Sequence, residues 1–414
     1  MRFDTIVTGG GLSGLVSAIV SQHAGRRTAI VSAGQSALHF WSGSFEFLGN
    51  LNGKTVKGPL LEAVAGLPDS HPYRRIGAGR LDTLLSGVAP LLEKAGLIVN
   101  GSLDHNHERL TPLGFFKPAW LTLDDYAVME YGAPVPWKKV AIVNIKGYID
   151  FYPSFLAHGL RGRGVECTFG DVDTPRLDQL RRSTTEMRAT NISRFLNDAE
   201  IDQLARQVNA VSKGVDAVIM PAVIGMFSDR PLRRFRQIVD VPVYFVPTMP
   251  ASVPGVRCQL ALRDYFIRLG GTFMPGDTVV GGHVEGHRLH RLYTANMGDM
   301  PLEADNFVIS TGSFFGHGLI ATMERICEPV LDLDVKASEG RTSWYDTDFY
   351  ASQPYMGFGV DTDSEFHPLR KGEPVENLYA TGALLSGFNA LKEGSGAGIT
   401  LATALHAAER IIKS

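Results

Sequence analysis

Cysteine is scarce in this chain. Cys167, Cys258 and Cys327 stand far apart, and none belongs to a CxxC or CxxCxxC run. That spacing disfavours an iron–sulfur cluster or a zinc site within the chain and fits reduced thiols of a cytosolic protein. Basic runs are missing too. With a formal net charge of -3, nucleic acid is not an expected partner. No uninterrupted apolar run is long enough to cross a bilayer, and the nearest, VDAVIMPAVIGMF, is broken by Asp216 and Pro221. Met1, Arg2, Phe3 and Asp4 lead straight into a strand, and glycines follow too early for the apolar core of a secretory signal. A protein of this kind that works at a membrane is expected to be held there by a partner or a surface contact. Solenoid repeats and low-complexity tracts are also lacking.

What is present is ordinary globular material: 414 residues, 44% hydrophobic and 20% charged. That length suits two domains, or one large α/β body with an insertion. Residues 3–8 read as a buried strand, 15–24 as a helix stopped by Gly25, and 27–31 as a second strand. Pro- and Gly-rich ground follows to about residue 137, with a helical island near 80–95, and RLTPLGFFKPAWLTLDDYAV reads as strand and turn. A second α/β pattern runs as strand 139–145, helix 151–162 and strand 164–169, then 216–225, a helix near 230–238, and 242–250. Such alternation predicts a parallel sheet with helices on its faces. The last third holds a helix through RCQLALRDYFIRLG, a β-meander over 272–294, the strand NFVIST, and a closing helix over about 398–412. The expected architecture is a Rossmann-like α/β nucleotide domain assembled from both chain ends, 1–115 with 255–414. A second α/β domain, 115–255, is inserted as a substrate, cap or partner-binding unit.

Gly9-Gly10-Gly11-Leu12-Ser13-Gly14 satisfies GxGxxG directly after a strand and at the start of a helix. There Gly9 permits the tight turn, Gly11 lets the backbone approach a phosphate, and Gly14 lets the helix sit close on the strand. The helix start then directs free N–H groups at the anion. The plain alternative is a glycine turn kept for packing. Ser13 is no nucleophile elbow, because GxSxG falls inside the nucleotide fingerprint. One part of that fingerprint is missing. The second strand, TAIV, ends on Ser32, where an adenosine-binding site places a carboxylate for the ribose. Ser32 lies 32 − 9 = 23 residues after Gly9, in register, so no insertion hides the acid. The loss weakens an adenosine dinucleotide by roughly 1–3 kcal/mol and favours FMN over FAD without forbidding FAD.

A second device is spread along the chain. Gly312 closes the strand NFVIST, Gly382 sits in a turn after ENLYAT, and Gly396, Ala397, Gly398, Ile399 and Thr400 open the last helix. A helix start aimed at a flavin ring stabilises negative charge near N1 and O2. The alternative is a terminal helix with a flexible glycine lead-in. Two more patterns stay open. Arg188, Asn191 and Arg194 recur at intervals of three in TTEMRATNISRFL. On a helix they share one face, which suits a phosphate monoester, contacts to a partner subunit, or a solvated face salt-bridged with Glu186. His283, His287 and His290 lie in an expected hairpin that sends the last two to opposite faces, so no metal is expected there.

The landmarks MRFDTIVTGGGLSGL, GQSALHFWSGS, TTEMRATNISRFL, FMPGD, STGSFF, EPVLDLDV and ENLYATGALLSGF follow one another from end to end. In that order the chain resembles the family formed by the B subunit of anaerobic glycerol-3-phosphate dehydrogenase, within the two-dinucleotide-binding-domain flavoproteins. The resemblance implies an FMN flavoprotein that oxidises sn-glycerol 3-phosphate to dihydroxyacetone phosphate and passes electrons toward membrane quinone. It implies a catalytic FAD-bearing A subunit and an iron–sulfur C subunit as partners, which hold a cytoplasmic chain on the inner face of the cell membrane. It also implies that HFWSGSFEF runs beside the flavin, with Ser42 and Ser44 as donors, Gly43 for close approach, and His39 for proton transfer. A His bonded to a backbone carbonyl is the alternative for His39. An electron-relay or assembly subunit with a flavin and no substrate site of its own is the alternative for the whole chain.

Overall fold

The computed structural model describes every residue except Thr184. The chain begins with β1 (Arg2–Thr8), α1 (Leu12–His23) and β2 (Thr28–Ser32). A small antiparallel sheet follows, from β3 (His107–Leu110), β4 (Phe116–Ala119) and β5 (Val128–Glu130). Next come β6 (Lys139–Ile145), α2 (Pro153–Arg161), β7 (Glu166–Val172), α3 (Ala189–Phe195) and α4 (Asp198–Val211). β8 (Ala217–Pro221), α5 (Arg230–Ile238) and β9 (Val243–Val246) complete that stretch. The last third holds α6 (Val253–Arg268), β10 (Thr272–Pro275), β11 (Val279–Glu285), β12 (Arg288–Thr294), β13 (Leu302–Ile309), β14 (Leu378–Ala380) and α7 (Gly396–Lys413).

Two sheets organise these elements. The larger has the order β10-β2-β1-β13-β12-β11, with β14 also paired to β13. Its β10, β2, β1, β13 and β14 run parallel, and β11, β12 and β13 close it as an antiparallel meander. The smaller has the order β7-β6-β8-β9, all parallel. The central strands of both are buried on both faces (Ile6 and Val7 in one, Val140 to Val143 in the other), as parallel strands with helices on each side must be. The larger sheet draws only on residues 2–32 and 272–380 of the chain, and the smaller only on residues 139–246. Residue 115 lies in the turn of the β3–β4 hairpin, and Gly255 in the first turn of α6.

Some local expectations differ from the structure. The helical island near 80–95 is two helices, Ala78–Leu85 and Val88–Lys94, parted at Ser86 and Gly87. TTEMRATNISRFL is helical only from Ala189; Arg188 precedes the helix with φ −100 and ψ 151, an extended residue. His287 is in the turn between β11 and β12 and not on a strand. Among the described residues no helix is long and apolar enough to cross a membrane, and no group of His, Cys, Asp and Glu can hold a metal ion.

Candidate active site

The carboxyl ends of β1, β2, β10 and β13 open onto one elongated trough of about 670 Å³. Its wall runs from Gly9 to Ser13, along Ser32 to Leu38 and Asp277 to Val280, past Ser310 to His317, and ends at Thr381, Gly396, Ala397 and Thr400. The glycine fingerprint takes up its positions for separate steric reasons. Gly9 has φ +113, and a Cβ on it would lie 2.3 Å from the Ser310 carbonyl oxygen, so only glycine lets β1 leave the sheet past β13. A Cβ on Gly14 would lie 1.9 Å from the Gly9 carbonyl oxygen, which fixes how closely α1 sits on the loop. Gly11 is different. A Cβ there meets nothing nearer than the Ser36 Cβ at 3.7 Å, because that side faces the trough.

Two helix starts reach the trough. α1 begins after Gly11 and α7 after Ser395, and neither has a side-chain hydrogen bond capping its first turn. The uncapped N–H groups and positive dipole ends make both points favourable for negative charge. Hydroxyls tie α1 to the ends of β13 and β14: Ser13 Oγ donates to Thr381 Oγ1 at 2.7 Å, and Ser310 Oγ is 2.7 Å from the same oxygen. Thr311 Oγ1, at the trough wall, is buried with no partner. A cradle that a Cβ would fill, two uncapped helix ends and an unpartnered hydroxyl fit a flavin nucleotide. Phosphates would lie at α1 and the ring at α7.

At the far end of the trough Ser32 is 4% exposed and its Oγ donates to the Gly34 carbonyl at 3.3 Å. Beside it stands Asp277, 5% exposed, whose N–H donates to the Ser32 carbonyl at 3.3 Å. One oxygen of Asp277, Oδ1, accepts from the N–H groups of Thr278 and Asn296. The sequence marks FMPGD as a landmark without singling out Asp277; pairing of β10 with β2 is what brings it to Ser32. Glu46 carries no sequence signal of its own either. It lines the trough, and its carbonyl accepts from Gly398 in the first turn of α7.

Several expected residues lie elsewhere. Ser42, Gly43 and Ser44 form the layer behind the wall made by Trp41 and Glu46. Ser42 accepts from Arg109, a Cβ on Gly43 would strike the Tyr126 ring at 2.2 Å, and Ser44 Oγ donates to Glu46. Gly398 is pressed on Tyr73, where a Cβ would be 2.1 Å from the hydroxyl, and Ile399 is fully buried. Gly382 donates its N–H to Thr403 Oγ1 at 3.0 Å and does not line the trough, whereas Gly312 does. His39 sits behind the phosphate loop beside Gln259, whose amide donates to the Gly10 carbonyl at 3.2 Å. Burial pulls its pKa below the usual histidine value, and Gln259 offsets part of that. Arg188 pairs with Asp150 at 2.7 Å and Asn191 donates to the Glu186 carbonyl at 3.0 Å. Neither these two nor the exposed Arg194 line the trough, and Thr184, at the start of that motif, lies outside the described residues. His283 and His290 are 6.3 Å apart between ring centres.

The chain is similar to several known proteins. The family described as FAD binding domain matches residues 4–399. Curated relatives, each the B subunit of an anaerobic glycerol-3-phosphate dehydrogenase, match the whole chain. That of Yersinia pseudotuberculosis is 43% identical and covered over 98% of its own length, that of Pectobacterium atrosepticum 39% over 99%, and that of Vibrio cholerae 37% over 97%. Among solved structures, 3-ketosteroid delta1-dehydrogenase of Sterolibacterium denitrificans matches at TM-score 0.45 and 10% identity, over 100% of this chain and 99% of that one. A flavocytochrome c3 fumarate reductase matches at 0.44 and 9%, over 100% and 78%. The chain therefore belongs to the B-subunit family of anaerobic glycerol-3-phosphate dehydrogenase, flavin-binding oxidoreductases with a mixed α/β fold.

Proposed function

We propose that the chain holds FAD along the trough and oxidises sn-glycerol 3-phosphate to dihydroxyacetone phosphate. In this reading it works in a complex with an FAD-bearing A subunit and an iron–sulfur C subunit, which hold it at the inner face of the membrane and carry electrons toward quinone. The observation that carries the reading is the trough itself, with an uncapped helix start at each of two points along it. A flavin bound there supplies a two-electron acceptor for a secondary alcohol. The protein's own share is to hold phosphates at the start of α1, favour negative charge at the start of α7, and cover the site with Trp41 and Phe315. Glu46 and Asp277 are the carboxylates of the wall, and Glu46, whose Oε1 is held by Ser44 and Lys117, is the one that takes the alcohol's proton in this reading.

Ser32 alone supports FMN, since the tip of β2 offers an adenosine ribose no carboxylate. FAD is supported by the continuation of the trough beyond the phosphate loop, between Ser32–Ser36 and Asp277–Val280, where Asp277 brings a carboxylate to that end. FMN leaves that stretch unused. This reading takes 1–115 with 255–414 as the flavin-binding unit and 115–255 as a cap inserted in it. The test is anaerobic titration of the purified, flavin-loaded chain with glycerol 3-phosphate, followed by visible absorbance. Bleaching supports oxidation in this subunit. Absorbance that persists with substrate and disappears with dithionite assigns the chain to electron relay.

A further inference from the structure

Arg109 on β3 and Lys117 on β4 are direct cross-strand partners, so both side chains stand on one face of the hairpin. Like charges so placed repel unless a counter-charge lies between them. Arg109 is 2% exposed, yet among the described residues its side chain makes only two hydrogen bonds, of 3.3 Å each, to the Ser42 carbonyl and Oγ, and its Nε has no partner. The nearby carboxylates bond other partners: Glu46, whose charge is felt by Arg109, pairs with Lys117 at 2.9 Å, and Glu108 lies 3.9 Å from Arg163. Tyr126 covers the same spot, with the Arg109 guanidinium 5.6 Å from its ring centre. It is 2% exposed and its hydroxyl has no partner. His107, on the same face of β3, is held down to a pKa of about 4 by burial and by Arg109 and His105, so it adds no charge at neutral pH. The cluster sets two cations, one of them a guanidinium taken out of water, against one carboxylate, beside a phenol hydroxyl with no partner among the described residues. A buried charge left this way is costly, and an anion resolves the deficit.

We infer that Arg109, Lys117 and the Tyr126 hydroxyl form an anion subsite that takes the phosphate of a phosphate-monoester substrate, on the Glu46 side of the trough. The inference rests on the proposed function for the identity of that substrate, but not for the presence of an anion. The unpartnered Arg109 Nε, the Lys117 ammonium and the Tyr126 hydroxyl are all donors, which suits the several acceptor oxygens of a phosphate monoester. Lys117, with 46% of its side chain exposed, opens the subsite to solvent, and Glu46 joins it to the trough. Arg188, by contrast, is already neutralised by Asp150 and lies off the trough.

The test is isothermal titration calorimetry on the purified, flavin-loaded chain with inorganic phosphate, with glycerol 3-phosphate, and with glycerol as the uncharged control. The native chain is expected to bind both anions and not glycerol. Arg109→Met is expected to weaken both anions by about 30-fold. Its flavin content should be unchanged and its thermal midpoint without ligand equal or higher, because an unpaired buried charge has been removed. Phosphate should raise the midpoint of the native chain and not that of the variant. Tyr126→Phe, which removes a single oxygen, is expected to weaken phosphate by about 5-fold and keeps the test open if Arg109→Met does not fold. Unchanged phosphate affinity in either folded variant overturns the inference. So does a loss of flavin and thermal stability in Arg109→Met with phosphate affinity intact, the signature of a structural arginine. If phosphate binds through Arg109 while glycerol 3-phosphate leaves the flavin oxidised, the subsite stands and the proposed reaction falls.

Discussion

At the scale of single residues, the glycine fingerprint separates into positions that shape the fold and one that shapes the ligand site. Gly9→Ala would drive a Cβ to 2.3 Å from the Ser310 carbonyl. We expect a loss of about 1–3 kcal/mol in urea unfolding and no retained flavin. Gly11→Ala has room in the protein, so unfolding should be unchanged while flavin affinity falls; equal stability losses in the two variants would contradict this division. His107 gives a pH signature. Its Nε2 lies 2.7 Å from Thr122 Oγ1 inside the protein, and its pKa is pulled from 6.5 to about 4. Between those values the unfolded chain takes up a proton that the folded chain refuses, so acidification through the window removes stability, up to roughly 3 kcal/mol. Above pH 6.5 this contribution is constant. Urea midpoints of His107→Gln should fall less steeply between pH 6.5 and 4 than those of the native chain. The fingerprint glycines and Ser32 were legible because their spacing from a strand is local. Asp277 was not, since its meaning comes from a strand pairing between residues far apart in the chain.

At the scale of elements, the start of α1 is held against the ends of β13 and β14 by hydroxyls. Thr381 bonds Ser13 of α1 and Ser310 beyond β13 through one oxygen. Thr381→Val keeps the shape and removes that oxygen. We expect a cost of about 1–3 kcal/mol from the buried hydroxyls left behind, with weaker flavin retention on gel filtration; full retention would mean that backbone packing alone sets the register. The sequence pattern marked both glycine-led helices well. It misjudged TTEMRATNISRFL, because a three-residue recurrence looks alike on a helix and on the extended approach to one. Burial of Met187 and Ala189 on either side of Arg188 makes it the residue before the helix. The island at 80–95 failed similarly, since Ser86 and Gly87 fit the apolar period and still break the helix.

At the scale of the molecule, the sheet from the chain ends and the sheet from its middle are clamped by a buried ion pair. Arg257 of α6, 3% exposed, donates to Asp125 and to the Gly225 carbonyl. Asp125 in turn accepts from Phe245 of β9 through its carbonyl. Asp125→Ala leaves Arg257 as an uncompensated buried charge and should cost about 3–5 kcal/mol in urea unfolding; a loss under about 1 kcal/mol would mean that the pair is replaceable by packing. The two-sheet arrangement was legible because strand–helix alternation is visible in the middle third and landmarks stand in order at both ends. The meeting of Arg109 with Lys117 and Tyr126 was not, because only the β3–β4 hairpin and the layer over Gly43 bring them together. If both chain ends build one trough for a dinucleotide flavin, chromatography of the cofactor released by heat from the purified chain should give FAD at about one equivalent per chain. Release of FMN, or a colourless chain that cannot be reconstituted with FAD, would rule that trough out as a dinucleotide site.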